Sequence, residues 1–220
     1  MSYKKVENGL FISFEGGEGA GKTSQINKLA ERLTEKGYKV ITTREPGGTK
    51  EGEALRTLLV QRESGNWEPM AEVLMLYADR IMHMKRVIMP ALKDGKVVIS
   101  DRFADSTLAY QGYGYEESLK QIQALHEIVM DGFSADLTLI LDIDVAEGIK
   151  RSTKRMASEE FGYKQTEDRF ERMDLAFHER IRQGFLNIAE QNPKRCHVID
   201  AARETDVIAQ DIEEVVLKSL

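Results

Sequence analysis

The sequence predicts an α/β fold in which parallel strands are joined by helices that cover both faces of the sheet. Three observations carry this. Short apolar runs alternate with longer segments of helical period. The first run passes through a glycine-rich loop into a helix and then a second run, a β-loop-α-β unit. The 220 residues, 41% hydrophobic and 31% charged, suffice for one domain with a full core, taken here as residues 1–220.

In chain order, the buried strands are expected at Leu10–Phe14, Lys39–Thr42, Val97–Ser100, Leu137–Leu141 and Cys196–Ile199. Between the first two, Ile26, Leu29, Ala30 and Leu33 recur at helical spacing, and Gly37 supplies the stop. A long helix is expected from about Glu68 to Lys93, with Met70, Val73, Leu74, Tyr77, Ile81, Met84 and Ile88 on one broad face and Pro90 bending or ending it. Further helices are expected at Glu116–Met130, Val145–Lys154, Arg169–Gln191 and Thr205–Leu217. No internal repeat, low-complexity tract or linker divides the chain.

Composition excludes several classes. A lone cysteine, Cys196, cannot form an internal disulfide, and the apolar segment Leu10–Phe14 is too short for a signal peptide, so the cytoplasm is the expected compartment. No apolar run approaches the roughly 20 residues of a membrane span. The net charge of −6 argues against a general nucleic-acid binder and for small-molecule partners.

The stretch ISFEGGEGAGKTS contains G-x-x-x-x-G-K-[ST] as Gly16, Gly21, Lys22 and Thr23, with Gly17, Glu18, Gly19 and Ala20 between, after a strand and before a helix. Glycines let successive backbone N–H groups turn inward, and the following helix adds its positive end to the same anion. Lys22 is expected on the outer phosphates of a nucleotide and the Thr23 hydroxyl on Mg²⁺. The base-reading pattern N-K-x-D of GTPases is missing. Arg44, Arg56, Arg80 and Arg102 stand near loops that follow strands, and such bidentate donors suit a second phosphate-bearing ligand.

These motifs together resemble the thymidylate kinases, along nearly the whole chain: FEGGEGAGKT, TREPGGT, EVLMLYADR, SDRFADSTLAYQGYG, ADLTLILDI and EDRFE. TREPGGT and DRFADSTLAYQGYG are specific to that family among P-loop kinases. The resemblance implies a P-loop NTPase fold with a five-stranded parallel sheet, a mobile lid at about 150–171, a homodimer, and transfer of the γ-phosphoryl of ATP to dTMP with Mg²⁺. It further implies that Asp101 orients Mg²⁺ with Thr23, and that Arg102 grips the acceptor phosphate, with Asp101, Arg102 and Lys22 all in the catalytic set. Arg80 is expected at the thymine edge, completed by Thr107 and Gln111, and Tyr110 beneath the deoxyribose. Glu45 and Pro46, joined by a cis peptide, are expected to shape the acceptor pocket, with Arg56 beside it. Glu18 is expected to face the acceptor sugar, its charge offset by the 3′-hydroxyl or a nearby arginine.

Two departures stand out. An aromatic often stacks on thymine four residues before the arginine, and that position is Leu76. In one branch of the family an arginine occupies the place of Gly19. Its absence shifts the transition-state cation to the basic segment Lys150–Arg155, with Arg155 expected to act and Arg151 and Arg169 to support it. The four histidines, His83, His126, His178 and His197, lack metal-ligand spacing and are read as structural. Two other readings stay open: a kinase for another nucleoside monophosphate, separable by a panel of acceptors, and a non-catalytic nucleotide-binding regulator, which would need no acceptor site.

Overall fold

The computed structural model describes residues 6–61, 65–157 and 168–220. Five parallel strands form one sheet: β1 (Leu10–Glu15), β2 (Val40–Arg44), β3 (Val97–Asp101), β4 (Leu137–Asp142) and β5 (Cys196–Asp200), in the spatial order β2-β3-β1-β4-β5. β1 is central and buried along its whole length, so its residues feed both faces. Leu10, Ile12 and Phe14 pack with Leu29 and Leu33 of α1 (Lys22–Glu35) and with late helical residues Ile208, Ile212 and Val216. Phe11, between them in the period-2 alternation, packs on the opposite face with Val73, Ile88 and Ile122. Each such fully buried side chain contributes about 1.5–3 kcal/mol of apolar burial.

The remaining helices hang from the carboxyl ends of the strands. After β2 comes α2 (Lys50–Val60), a helix the sequence reading did not anticipate. Its start is fixed by Thr49, whose side chain accepts from the Gly52 amide at 2.9 Å. The expected long helix is three pieces: α3 (Pro69–His83), a π-helical turn over Met84–Ile88, and α4 (Met89–Lys93). Pro90 sits in the first turn of α4, where its missing N–H costs nothing, and the widened turn before it absorbs the ring that a continuous α-helix would reject. After β3, α5 (Ala104–Thr107) runs into a second π-helical segment, Leu108–Gly114, which buries both Tyr110 and Gln111.

The other expected helices appear, the first starting later than expected, the second running on to Ala157 and the last with the expected bounds. α6 spans Leu119–Met130, α7 Val145–Ala157 and α9 Thr205–Leu217. α8 spans Leu175–Gln191 and begins six residues later than expected from Arg169, because Asp174 caps it by accepting from the Phe177 amide at 2.7 Å. α8 packs against the second π segment through Phe177, Ile181 and Phe185. The loops that follow β1, β2 and β3 therefore open on one end of the sheet, where an open parallel α/β sheet takes its ligands.

Candidate active site

A cleft of ≈ 430 Å³ runs across that end, lined by the loop after β1, the loop after β2, α3, the residues after β3, and the two stems that flank residues 158–167. At one end lies the glycine loop. Gly21, at φ +88, precedes α1, and no side chain caps that helix, so its first amides remain for an anion. Lys22 folds over the loop, its Nζ donating to the carbonyls of Gly16 and Gly17, both at 3.0 Å. Burial, followed by the neighbouring Arg102 charge, lowers its pKa to about 8, which poises the ammonium for an anionic partner.

Arg102 crosses from β3 to this loop. One guanidinium nitrogen donates to the Gly16 carbonyl and to Ser106 Oγ, each at 3.1 Å; the other donates to Glu18 Oε1 at 3.0 Å and to the Tyr110 hydroxyl at 2.8 Å. Tyr110 in turn donates to the same Glu18 oxygen at 2.5 Å. Burial opposes a charge on Glu18, but Arg102, Lys22 and Tyr110 outweigh it and hold the carboxylate at about pKa 2. The arginine expected to offset Glu18 is thus Arg102 itself. Glu15 anchors this group from behind, accepting from the Phe103 amide at 2.8 Å and from Ser106 Oγ at 2.5 Å.

Thr23 Oγ1 donates to Asp101 Oδ2 at 3.4 Å, which places a hydroxyl and a carboxylate side by side at the mouth of the loop. Among the described residues no three His, Cys, Asp or Glu side chains cluster as metal ligands. A hydroxyl and one carboxylate, completed by water and nucleotide oxygens, is a donor set that fits Mg²⁺.

Gly19, at φ +68, touches α7 so closely that a Cβ there would lie 1.9 Å from the Gly148 carbonyl oxygen. A side chain at this position is incompatible with α7 packed on the loop, which accounts for the missing P-loop arginine. The same helix carries Arg155 to the cleft wall, where it lies beside Ser152, with Ser152 Oγ 3.2 Å from Glu171. Burial, then the Glu18 charge, raises Glu171 to about pKa 7.

The two arginines expected to support Arg155 stand elsewhere. Arg151 is turned to Glu147 at 3.0 Å and the Ala201 carbonyl at 3.1 Å. Arg169 donates to the Leu59 carbonyl at 2.9 Å and pairs with Glu72 at the opposite end of the cleft. Neither lines the cleft wall. Of the expected lid at about 150–171, residues 158–167 lie outside the described residues.

The opposite end is built side chain upon side chain. Arg80, 1% exposed, donates from Nε to Glu45 at 2.8 Å and from Nη2 to Thr107 Oγ1 at 3.0 Å and the Phe103 carbonyl at 3.3 Å. Its guanidinium lies over Tyr77 and Phe103, 4.7 and 5.3 Å from the ring centroids. Glu45 is held on its other oxygen by His83 Nδ1 at 2.9 Å, and His83 Nε2 meets Thr43 Oγ1 at 2.6 Å. Gln111 Nε2 donates to Glu72 at 3.0 Å. Arg80 Nη1 and Gln111 Oε1 are buried without a hydrogen-bond partner among the described residues, one a donor and the other an acceptor, on residues that line the cleft. Leu76 lines it beside them, and so do Pro46 and Arg56. The Glu45-Pro46 peptide is cis, and Arg56 donates to the Pro46 carbonyl at 3.1 Å.

Three residues of this end carry no site role in the sequence alone: Glu72, Asp79 and His83, the last read as structural and found bracing Glu45. Asp79 accepts from the Gly47 amide at 3.0 Å and so ties the TREPGG loop to α3. A signal existed for two of them. Glu72, Leu76, Arg80 and His83 follow at steps of four, four and three residues, a single helical stripe aimed at the cleft.

Comparison with known proteins agrees with this geometry. Residues 14–212 match the family model described as thymidylate kinase. The chain is 49% identical over 215 residues to the thymidylate kinase of Caulobacter vibrioides, covering 98% of this chain and 99% of that one. It is 44% identical over 208 residues to that of Bartonella quintana, covering 94% and 95%. The crystal structure of thymidylate kinase from Ehrlichia chaffeensis superposes with a TM-score of 0.75 at 35% identity, covering 95% of this chain and 98% of that one.

Proposed function

The chain belongs to the thymidylate kinase family, and from that premise we infer how its cleft transfers the γ-phosphoryl of ATP to dTMP to give dTDP. The observation that carries the reading is the pairing of a phosphate loop at one end with an unpartnered buried donor and acceptor at the other, Arg80 Nη1 and Gln111 Oε1. Thymine presents O4 as an acceptor and N3–H as a donor, the complement of that pair. Cytosine presents an amino group and a bare nitrogen, and meets like with like. Leu76 covers the base face without aromatic stacking, and Thr107 braces Arg80.

The residues divide the work as follows. Gly16 to Thr23 cradle the phosphates of ATP, and Lys22 exchanges its carbonyl partners for the outer phosphates. Arg102 and Arg56 hold the phosphate of dTMP, while Glu18 accepts from the 3′-hydroxyl and Tyr110 packs under the deoxyribose. An oxygen of the dTMP phosphate bonds to the γ-phosphorus as the bond to the bridging oxygen of ADP breaks. The acceptor is already anionic, so no general base is needed. Arg155 stabilises the charge that spreads over the transferring group. Thr23 and Asp101 would hold Mg²⁺, which neutralises phosphate charge when bound.

Exposed apolar residues on α3, α4 and α6, namely Leu74, Met89 and Ile128, support a homodimer. One domain over residues 1–220 and a cytoplasmic site of action complete the reading; no helix among the described residues is long and apolar enough to cross a membrane. A coupled assay across dTMP, dUMP, dCMP and GMP tests the function. ADP is expected to appear with dTMP as the best acceptor and not in the absence of acceptor. Preference for dCMP or GMP, or acceptor-independent turnover, would overturn it.

A further inference from the structure

Gln111 can complement thymine only in one of its two amide orientations. With Oε1 toward the base it accepts from N3–H; flipped, it would present an NH₂ group, the partner that cytosine N3 requires. Nothing in the glutamine itself decides between them, because the two ends of an amide are nearly identical in shape. The decision must come from what stands behind it.

What stands behind it is Glu72. Its side chain is fully buried, and one carboxylate oxygen lies 3.0 Å from Gln111 Nε2 while the other is taken by Arg169. A carboxylate paired with a guanidinium has only acceptor oxygens to offer, so Gln111 must turn its NH₂ inward and leave Oε1 to the cleft. The flipped amide would set a carbonyl oxygen against a carboxylate in a site closed to water, the more costly arrangement. The Arg169 anchor comes from the stem that follows residues 158–167 and is itself braced by the Leu59 carbonyl at 2.9 Å and the Tyr115 hydroxyl at 3.4 Å.

We propose that Glu72, held by Arg169, is a positioning residue that sets base selectivity by locking the Gln111 amide with its carbonyl oxygen toward the acceptor base. This rests on the reading of Gln111 as a base contact and adds what orients it. A carboxylate on the cleft wall thereby chooses between two classes of pyrimidine through its neighbour's amide.

The test is Glu72→Gln, which retains an oxygen for Arg169 but presents an NH₂ group to Gln111 and so favours the flipped amide. kcat/KM for dTMP and dUMP, which share the same base edge, is expected to fall together by about 10-fold or more, the loss residing mainly in KM. The ratio of dTMP to dCMP use falls by at least the same factor, and Gln111→Leu lowers that ratio as well. In the Gln111→Leu background, adding Glu72→Gln produces no further change, because the residue acts only through that amide. An unchanged dTMP to dCMP ratio in Glu72→Gln, alongside a lowered one in Gln111→Leu, would overturn the proposal while leaving Gln111 as a base contact. An unchanged ratio in Gln111→Leu would instead overturn the base contact on which it rests. A further drop in the double variant would show that Glu72 acts by another route and would equally overturn the proposal.

Discussion

At the phosphate end of the cleft, backbone does most of the holding: Lys22 rests on the carbonyls of Gly16 and Gly17, and the first amides of α1 are left to an anion. At the base end, side chains hold side chains. Thr43 meets His83, His83 meets Glu45, Glu45 meets Arg80, and Arg169 meets Glu72, which meets Gln111. The difference has a physical reason. Phosphate is a large, strongly charged target that any array of inward N–H groups can bind, whereas telling thymine from cytosine requires one donor and one acceptor fixed in place. On the proposed reading the first end governs rate and the second governs choice of acceptor, so substitutions at the two should separate in kinetics.

Arg155→Ala is expected to give the largest separation. Loss of a cation used in the transition state should cut kcat by about 100-fold or more, with little change in the KM for ATP or in acceptor preference. Single-turnover measurement of the chemical step checks this, and an unchanged kcat would move the role to another cation. Glu18→Ala should act on the acceptor at the junction of the two ends. It removes the partner of both Arg102 and Tyr110. We expect kcat/KM for dTMP to fall by roughly 10-fold or more while ATP binding is spared. Equal loss of ATP affinity would make Glu18 a brace of the glycine loop.

The smallest effect is one of stability, at the base end alone. Burial, followed by the Glu45 charge, raises Asp79 from 3.8 to about 7. Between about pH 4 and 7 the folded chain keeps a proton that the unfolded chain has released, so stability falls as pH rises through that window and the cost is complete above it. Asp79→Asn keeps an oxygen for the Gly47 amide but carries no charge. The variant should gain ~1 kcal/mol or more over the parent at pH 8 relative to pH 5, a Tm difference of roughly 2–4 °C. Parallel melting curves at both values would count against a buried, titrating Asp79.

The same contrast governs how much was legible in the sequence. A phosphate loop is one contiguous run of fixed spacing, so Gly16 to Thr23 could be read from that spacing, with the strand and helix on either side. The sheet was legible because each strand is a short apolar run between helical segments. Arg80, Thr107 and Gln111 could be read only through motif resemblance, since they meet from α3, α5 and the π segment. Glu72 and His83 act through other residues and lie on one helical stripe with Leu76 and Arg80, so they resembled ordinary helix positions. α2 was missed because Gly52 interrupts its pattern, and the π segments because a wide turn leaves no period that a sequence window detects. Arg151 and Arg169 share the basic composition of the Arg155 segment, but composition does not say which way a side chain turns.

The division between the two ends is tested most directly by Arg80→Lys, which keeps a cation against Glu45 but loses the planar fork that carries the unpartnered nitrogen. The measurement is kcat/KM for dTMP and dCMP in the variant and the parent, with the KM for ATP taken alongside. The account predicts that the preference for dTMP over dCMP falls by about 10-fold or more while the KM for ATP stays within about two-fold. Equal losses with both acceptors, or a rise in the KM for ATP matching the loss with dTMP, would contradict it.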